Sequence, residues 1–422
     1  MRTNRRRFSA GAAAIGMGVV AAPSILRAAD ARVVVIGGGA AGATAAKYIA
    51  RDSKGAIDVT LIEPKARYVT CFYSNLYLAG YRTLESITHD YSRLRDKYGV
   101  TLVTDRATEI DAAAKRIALE SGDTIAYDKV VVAPGVDLRM DTVEGYDEAA
   151  TEIMPHAWKA GPQTELLRRQ IESTERGALF VLAPPPNPYR CPPGPYERVC
   201  SIAHQLKQRN PSAKILVLDA KDKFSKQQLF QDAWDRYYTG MIEWVPAEFG
   251  GAVTRVDTDA MTVTAGDETH RVAFANIIPA QTAGAIAHRS GLGGANGWCP
   301  IVSITMQSRF DEDIYVVGDA TEAGDMPKSA YSANSQAKVC AMSIRAELTG
   351  ARLFPPRLRN TCWSTLAPND AVKVGAHYEA TEDSIATVAS FVSTSGEDES
   401  LRARSSTEAD AWYDGITADI FG

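Results

Sequence analysis

The chain has 422 residues, of which 45% are hydrophobic, and a formal net charge of −5 at pH 7. This length allows two or three globular domains with a sizeable core. The negative charge argues against a nucleic-acid partner and against binding to an anionic membrane surface, because both attract cationic proteins.

The first 31 residues have the composition of an export signal. Residues 4–8 (NRRRF) contain a twin arginine followed by phenylalanine, residues 10–22 are moderately apolar, and residues 29–31 (ADA) form an A-x-A cleavage site. This pattern predicts a twin-arginine signal peptide over residues 1–31 and a mature protein in the periplasm. An uncleaved anchor is the alternative, but the apolar stretch is short for a membrane span.

A glycine-rich turn follows the first predicted strand. Residues 32–36 are mostly β-branched and apolar, which is typical of a buried parallel strand, and an alanine-rich helix follows the turn. Gly37, Gly39 and Gly42 have the G-x-G-x-x-G spacing, which permits a tight turn, approach of a pyrophosphate and close helix packing. A second strand over residues 58–62 ends at Glu63, whose carboxylate suits a ribose 2′-hydroxyl. Together these elements predict a dinucleotide-binding domain.

Two later strands carry further signals of this domain. Residues 130–135 (VVVAPG) predict a buried strand that ends in Ala133-Pro134-Gly135. In flavoproteins that bind two dinucleotides, a strand with a similar ending closes the first part of the FAD-binding domain. Residues 314–319 (IYVVGD) predict another strand, which ends at Gly318 and Asp319, with the carboxylate placed to bond ribityl hydroxyls. A loop and long helix over residues 327–346 follow, with the helix N-terminus aimed toward the flavin. The alternative for Gly318-Asp319 is an ordinary turn at the end of a strand.

The part of the chain where a second, NAD-binding domain would begin lacks the G-x-G-x-x-G motif. Its strand, residues 178–183, is followed by a proline-rich loop over residues 184–195 and then by a helix over residues 195–209. Proline has no N–H group to offer a phosphate. The domain is therefore predicted to keep a Rossmann-like architecture without binding NAD.

The cysteines and one acid near these motifs are candidates for redox chemistry. Cys191 precedes the helix over residues 195–209, whose N-terminus is expected to lower the pKa of its thiol. From spacing alone, Cys71 is more typical of a small buried hydrophobe, and Glu197 of a solvated acid in a first helical turn. The sequence contains no C-x-x-C-H motif, so no haem on this chain is expected, and no metal site is expected either.

The sequence resembles the flavoprotein subunits of flavocytochrome c sulfide dehydrogenases. The stretches that carry this resemblance are residues 68–71 (YVTC), 191–198 (CPPGPYER), 297–300 (GWCP), 327–336 (PKSAYSANSQ) and 360–362 (NTC). The resemblance covers nearly all of the chain after residue 31. It implies an α/β fold with two Rossmann-like, glutathione-reductase-like domains and a C-terminal α+β domain.

The resemblance also implies domain boundaries. The FAD-binding domain would comprise residues 32–150 and 286–350, the second Rossmann-like domain residues 151–285, and the C-terminal flavocytochrome c sulfide dehydrogenase-type domain residues 351–422. The final predicted helix carries Trp412, Ile416 and Ile420 on one side, and this stripe is expected to pack on its own domain.

Specific roles follow from the same resemblance. FAD would be joined through its 8α position to Cys71. Cys191 and Cys362 would form a redox-active disulfide beside the flavin, and Glu197 would act as a base near it. These roles for Cys71 and Glu197 replace the interpretations that spacing alone favours for the two residues. No role is assigned to Cys200 or Cys340, and Cys299 is interpreted as structural. The implied cofactor-binding residues are Gly37, Gly39, Ala41, Gly42, Glu63, Cys71, Ala133, Gly135, Gly318, Asp319 and Tyr331.

The activity implied by the resemblance is oxidation of sulfide to sulfur or polysulfide, with electrons passed to a separate c-type cytochrome. Three alternatives remain open. One is the flavoprotein of the periplasmic thiosulfate-oxidising (Sox) system. Another is a sulfide:quinone oxidoreductase, which is expected to need an apolar, membrane-dipping C-terminus that is not apparent in this sequence. The third is an exported FAD protein that carries electrons without catalysing sulfide oxidation.

Overall fold

A computed structural model describes residues 31–422, so the predicted signal peptide, apart from Ala31, lies outside the described residues. Its largest sheet has eight strands. The strand Ala31–Ile36 pairs in parallel with Ile57–Ile62 on one side and Lys129–Val132 on the other. In order across the sheet, the strands are Thr321–Glu322, Cys299–Val302, Gln307–Ser308, Ile314–Val316, Lys129–Val132, Ala31–Ile36, Ile57–Ile62 and Thr101–Val103.

The central strands of this sheet are apolar because they are buried on both faces. Val33, Val35 and Val131 are completely inaccessible to solvent. The helices Ala40–Ser53 and Ala330–Thr349 pack against each other beside the carboxyl ends of these strands. This arrangement confirms the predicted α/β architecture of the first domain.

A second parallel sheet has the strand order Ile242–Val245, Lys214–Leu218, Leu179–Ala183 and Phe274–Ile277. Its strands are connected by helices, as expected of a second Rossmann-like domain. These helices are Gly194–Arg209 and Gln227–Tyr237, and Pro162–Glu172 precedes the first strand. An antiparallel sheet of Val253–Asp257, Thr262–Ala265 and Glu268–Arg271 completes the domain.

The C-terminal region has one antiparallel sheet, formed by Leu358–Ala367, Asp370–Ala380 and Ile385–Val392, and one long helix, Glu399–Phe421. The helix packs on this sheet but also on Ala40–Ser53 of the first domain. Ile416 and Ile420 lie in the same hydrophobic core as the first sheet. This apolar stripe therefore packs on its own domain, as expected, and also on the first domain, which the sequence analysis did not predict.

The remaining elements are short. Three small sheets pair Arg67–Val69 with Thr88–Asp90, Val136–Leu138 with Gln281–Ala283, and Ala107–Asp111 with Arg116–Leu119 and Thr124–Ala126. The short α-helices are Ser74–Leu78, Ser92–Tyr98, Glu148–Thr151 and Ala285–Arg289, and the 3₁₀ turns are Glu85–Ile87, Met140–Thr142, Ala247–Phe249 and Gly318–Ala320. Within residues 31–422, no helix is long and apolar enough to cross a membrane.

Candidate active site

The glycine turn after Ala31–Ile36 has the geometry that a dinucleotide-binding turn needs. A Cβ on Gly37 would lie 2.4 Å from the carbonyl oxygen of Ala133, and one on Gly42 would lie 1.8 Å from that of Gly37. A Cβ on Gly39 would meet nothing nearer than 3.6 Å, and Gly39 faces a cavity. Gly37 and Gly42 are thus required by packing, whereas Gly39 leaves space at the helix N-terminus for an anion.

Glu63 lies beside this turn, at the carboxyl end of its strand. Its Oε2 accepts a hydrogen bond from the backbone N–H of Gly38 (2.8 Å), and its Oε1 accepts one from that of Lys65 (3.0 Å). Each oxygen has a second lone pair, which remains for a ribose hydroxyl. The structure therefore brings Glu63 and the glycine turn together at one edge of the sheet.

A cavity of about 430 Å³ extends from the glycine turn. One carboxylate oxygen of Asp319, Oδ1, is buried there and has no hydrogen-bond partner. A buried acceptor without a partner is costly, and a ligand hydroxyl would satisfy it. The residues therefore fit the ribityl chain of FAD. The predicted cofactor residues that line this cavity are Gly39, Ala41, Cys71, Ala133, Gly135, Gly318 and Asp319.

A second, adjoining cavity of about 790 Å³ contains the three predicted catalytic residues. Cys191 comes from the proline-rich loop, Glu197 from the helix Gly194–Arg209, and Cys362 from the C-terminal strand Leu358–Ala367. Cys71 lines both cavities, and Tyr331 lines the second. Segments that are distant in the chain thus meet in the second cavity, next to the first cavity, whose residues fit FAD.

Cys191 and Cys362 are half-buried free thiols, so the predicted disulfide between them is not present in this structure. The Cys191 backbone has φ of 59°, and its N–H donates to the carbonyl oxygen of Lys328 (2.7 Å). A Cβ on Gly194 would come within 2.8 Å of the Cys191 sulfur, so the glycine makes room for this side chain. The other three cysteines outside the cavities, Cys200, Cys299 and Cys340, are buried.

The electrostatics of these thiols differ from the sequence-based expectation. Desolvation raises the pKa of Cys191 well above its ordinary value, and the neighbouring Cys362 and Glu197 raise it further. Burial therefore outweighs the nearby helix N-terminus, and the prediction of a lowered Cys191 pKa is wrong. Burial also raises the pKa of Cys362, although Asn360, whose amide lies 3.4 Å from the sulfur, opposes this shift.

Glu197 is held in the second cavity by two hydrogen bonds. Its Oε2 accepts from the side-chain amide of Asn75 (2.8 Å), and its Oε1 accepts from the backbone N–H of Thr365 (2.8 Å). Desolvation raises the pKa of Glu197. The side chain is therefore half-buried and oriented, and the interpretation of Glu197 as a solvated first-turn acid is wrong.

Several residues of the site escaped the sequence analysis. Asn75 belongs to the short helix Ser74–Leu78, and it also accepts a hydrogen bond from the buried Arg198 (3.0 Å). Arg190 lines both cavities, and its guanidinium lies 3.9 Å from Asp319. Arg190 directly precedes the candidate residue Cys191, so its sequence position could have indicated that it belongs to the site. No pattern marked Lys226, which contacts the strand of Cys362 from the second domain.

Comparisons with known proteins agree with this geometry. The family model "Pyridine nucleotide-disulphide oxidoreductase" matches residues 31–171. The model "Sulfide dehydrogenase [flavocytochrome c] flavoprotein chain, central" matches residues 164–279, and "Flavocytochrome c sulphide dehydrogenase, flavin-binding" matches residues 354–421. The flavocytochrome c sulfide dehydrogenase flavoprotein chain of Chlorobaculum thiosulfatiphilum is 57% identical over 44 residues, which are 10% of this chain and 90% of that sequence. The chain belongs to the flavocytochrome c sulfide dehydrogenase flavoprotein family.

This flavoprotein is an FAD-dependent oxidoreductase that oxidises sulfide. It is also similar to the mitochondrial sulfide:quinone oxidoreductase of Mus musculus, with 24% identity over 330 residues, 71% of this chain and 67% of that sequence. The solved sulfide:quinone oxidoreductase of Aquifex aeolicus superposes with a TM-score of 0.71 at 18% identity, over 93% of this chain and 92% of that one. The predicted α/β fold of the reductase type is confirmed.

In the second domain of the flavoprotein, the acidic residue after the strand Lys214–Leu218 is hydrogen-bonded by side chains of the same domain. Asp219, which follows this strand, is completely buried. Its carboxylate accepts hydrogen bonds from Lys221 Nζ (2.6 Å), Tyr196 Oη (2.6 Å) and Trp244 Nε1 (3.0 Å). Lys221 also donates to the carbonyl oxygen of Pro185 in the proline-rich loop (2.7 Å). An acid in this position of a Rossmann domain would bind the NAD ribose, but here it is already engaged.

We therefore expect that NADH does not reduce the flavin. The proline-rich loop offers few N–H groups to a pyrophosphate, and Asp219 has no free oxygen for a ribose. Mixing the anaerobic holoprotein with excess NADH should leave the absorbance of oxidised flavin unchanged, whereas dithionite should bleach it as a control. Bleaching by NADH within seconds would contradict this prediction.

Proposed function

We propose that this flavoprotein is the sulfide-oxidising subunit of a periplasmic flavocytochrome c, which passes electrons from sulfide through FAD to a separate c-type cytochrome subunit. The observation that carries this proposal is the convergence of Cys191, Cys362 and Glu197 on one cavity beside the FAD-binding turn. Membership of the flavocytochrome c family supports a cytochrome as the acceptor. The twin arginine in residues 4–8 supports export.

The two cysteines would act as a dithiol–disulfide couple. In the oxidised form, HS⁻ attacks one sulfur of a Cys191–Cys362 disulfide. The disulfide bond breaks, a new S–S bond forms between sulfide and the attacked cysteine, and the other cysteine leaves as a thiolate. The sulfide sulfur is oxidised and the leaving cysteine is reduced, so the electron pair stays on the protein. FAD supplies a two-electron acceptor that can release electrons singly.

Glu197 would handle the proton in this reaction. Its carboxylate lines the same cavity as both cysteines and is oriented by Asn75 and Thr365. A raised pKa brings a carboxylate nearer to the pKa of H₂S and thiols, which makes it a more effective general base at neutral pH. Glu197 is thus placed to take a proton from H₂S or from a cysteine thiol.

The position of Cys71 supports a covalent link to the 8α position of FAD. Cys71 is a half-buried free thiol that lines both cavities, so a sulfur at this position would lie beside a flavin held by the residues of the first cavity. After denaturation in acid, the yellow colour should therefore precipitate with the protein. The Cys71→Ala variant should still bind FAD through the glycine turn and Glu63, but it should release all of its flavin into the supernatant.

A matched control for the covalent link is Cys340→Ala, which removes a buried cysteine outside both cavities and should leave flavin in the pellet. Yellow colour in the supernatant of the unmodified protein would contradict the proposed link.

The activity is tested with the protein isolated from the periplasmic fraction. Sulfide should bleach the flavin under anaerobic conditions, and added c-type cytochrome should then be reduced. A visible spectrum of the native complex should show flavin and haem together, with the haem on a separate polypeptide. Reduction of a short-chain quinone but not of cytochrome would instead favour a sulfide:quinone oxidoreductase. Absence of bleaching would favour an electron carrier.

A further inference from the structure

Lys226 joins the second domain to the strand that carries Cys362. Its Nζ donates hydrogen bonds to Ser364 Oγ (2.8 Å) and to the backbone carbonyl oxygen of Cys362 (3.3 Å). Lys226 precedes the helix Gln227–Tyr237, whereas Cys362 belongs to the C-terminal sheet. The contact therefore spans two domains and ends on a residue of the candidate active site.

The backbone of Lys226 also has an unusual conformation. Its φ is 63°, in the left-handed region that residues with a Cβ rarely adopt. Such a conformation persists where surrounding contacts over-determine it, and these outliers concentrate at functional sites.

The ionisable residues around Lys226 are the same residues that take part in the proposed sulfide chemistry. The ionisable groups that act on it are Glu197, Cys191 and Cys362. Burial lowers the pKa of Lys226, negative charge on these three neighbours opposes that shift, and the pKa that results is about 8. The titratable groups around Cys362 are in turn Cys191, Lys226, Glu197 and the phenol of Tyr378, and Asn360 and Ser329 contribute polar side chains. Lys226 is thus a cation placed among groups that become anionic.

The two cationic residues that line the second cavity, Arg190 and Arg198, are engaged elsewhere. Arg198 donates to the carbonyl oxygens of His156 and Ala157 and to the side chain of Asn276. Arg190 donates to the carbonyl oxygen of Trp158 and faces Asp319. Neither contacts the Cys362 strand through these bonds, so Lys226 is the better placed to respond to charge on Cys362.

We propose that Lys226 is a positioning residue that acts through Cys362. Its ammonium group holds the Cys362 strand against the second domain and compensates the negative charge that forms at Cys362 and Cys191 when their sulfurs become thiolates. This inference rests on the proposed dithiol chemistry, but its test needs no sulfide turnover.

The test measures the rate at which iodoacetamide alkylates Cys362 and Cys191 in the reduced holoprotein, from pH 6 to 10, with peptides quantified by mass spectrometry. Because a nearby cation lowers a thiol pKa by about one unit or more, Lys226→Met should shift the Cys362 profile upward by that amount at pH values below about 8, where Lys226 carries its charge. Alkylation of Cys362 below its midpoint should then be about tenfold slower. Lys226→Arg should restore the original profile.

Lys223→Met is the matched control, because Lys223 is exposed and lies three residues before Lys226, in the loop that precedes the helix Gln227–Tyr237. It should leave the profile unchanged. If Lys226→Met fails to retain FAD, Lys226→Gln, which keeps a donor without the charge, is expected to show the same upward shift. A charge-free variant with the profile of the unmodified protein would overturn the proposal, as would Lys226→Arg behaving like Lys226→Met. Failure of the unmodified protein to oxidise sulfide would overturn the proposed function without altering this alkylation result.

Discussion

Replacement of Cys362 by serine is expected to lower sulfide-dependent flavin reduction by on the order of 10³-fold or more, while FAD remains bound. Serine cannot form the disulfide that HS⁻ would attack, and the proposed reaction has no other route to a persulfide. The residues that fit FAD lie mainly in the adjoining cavity and are not altered by this change. Anaerobic stopped-flow measurement of flavin bleaching by sulfide gives the rate.

Cys340→Ala is the control, because Cys340 is a buried cysteine in the helix Ala330–Thr349 and lines neither cavity. It should keep the sulfide reaction. A disulfide between Cys191 and Cys362 would close a long loop, which could stabilise the fold by about 4–5 kcal/mol without any catalytic role. If Cys362→Ser only lowers the melting temperature and retains sulfide turnover, the pair is structural and the proposed chemistry is wrong.

Replacement of Glu197 by glutamine is expected to lower the same rate by about 10²–10⁴-fold, the usual contribution of a general base. Glutamine is nearly isosteric and can still accept the hydrogen bond from the Thr365 N–H, so the fold of the strand should be kept. Only the deprotonated carboxylate accepts a proton. Because desolvation raises the pKa of Glu197, the unmodified enzyme should lose activity as the pH falls through a value above that of an ordinary glutamate.

The pH profile distinguishes this role from a purely structural one. Glu197→Gln should remove the acid limb assigned to this carboxylate. Glu148→Gln, which changes an exposed first-turn acid of the helix Glu148–Thr151, should leave both the rate and the profile unchanged. An unchanged acid limb in Glu197→Gln would contradict a role for Glu197 as the base.

Interactions that are short-range along the chain were predictable from the sequence. A β-branched run predicted the central strand Ala31–Ile36, and the spacing of Gly37 and Gly42 predicted contacts that exclude a Cβ. The acid at the end of the next strand, Glu63, lies beside this turn as expected. The prediction that the second domain does not bind NAD also rests on local sequence, because the absence of an N–H group is a property of proline itself.

The candidate catalytic residues were named from motifs and a family resemblance, but only the tertiary structure brings them together. Cys191, Glu197 and Cys362 reach one cavity because the C-terminal strand packs beside the helix Gly194–Arg209. No local pattern encodes that contact. Lys226 was missed for the same reason, since its partners Cys362 and Ser364 lie more than a hundred residues further along the chain.

The burial of individual side chains was the property that the sequence predicted least well. The helix N-terminus after Cys191 predicted a lowered thiol pKa, whereas desolvation raises it. The apolar side of the last helix was predicted, but Ile416 and Ile420 pack into the first domain as well as on their own. Periodicity, turn residues and short motifs are local, so the sequence determined the strands, the glycine turn and the candidate residues. Desolvation and packing depend on every segment that surrounds a side chain, so only the tertiary structure decided the pKa shifts of the site and the convergence of its residues on one cavity.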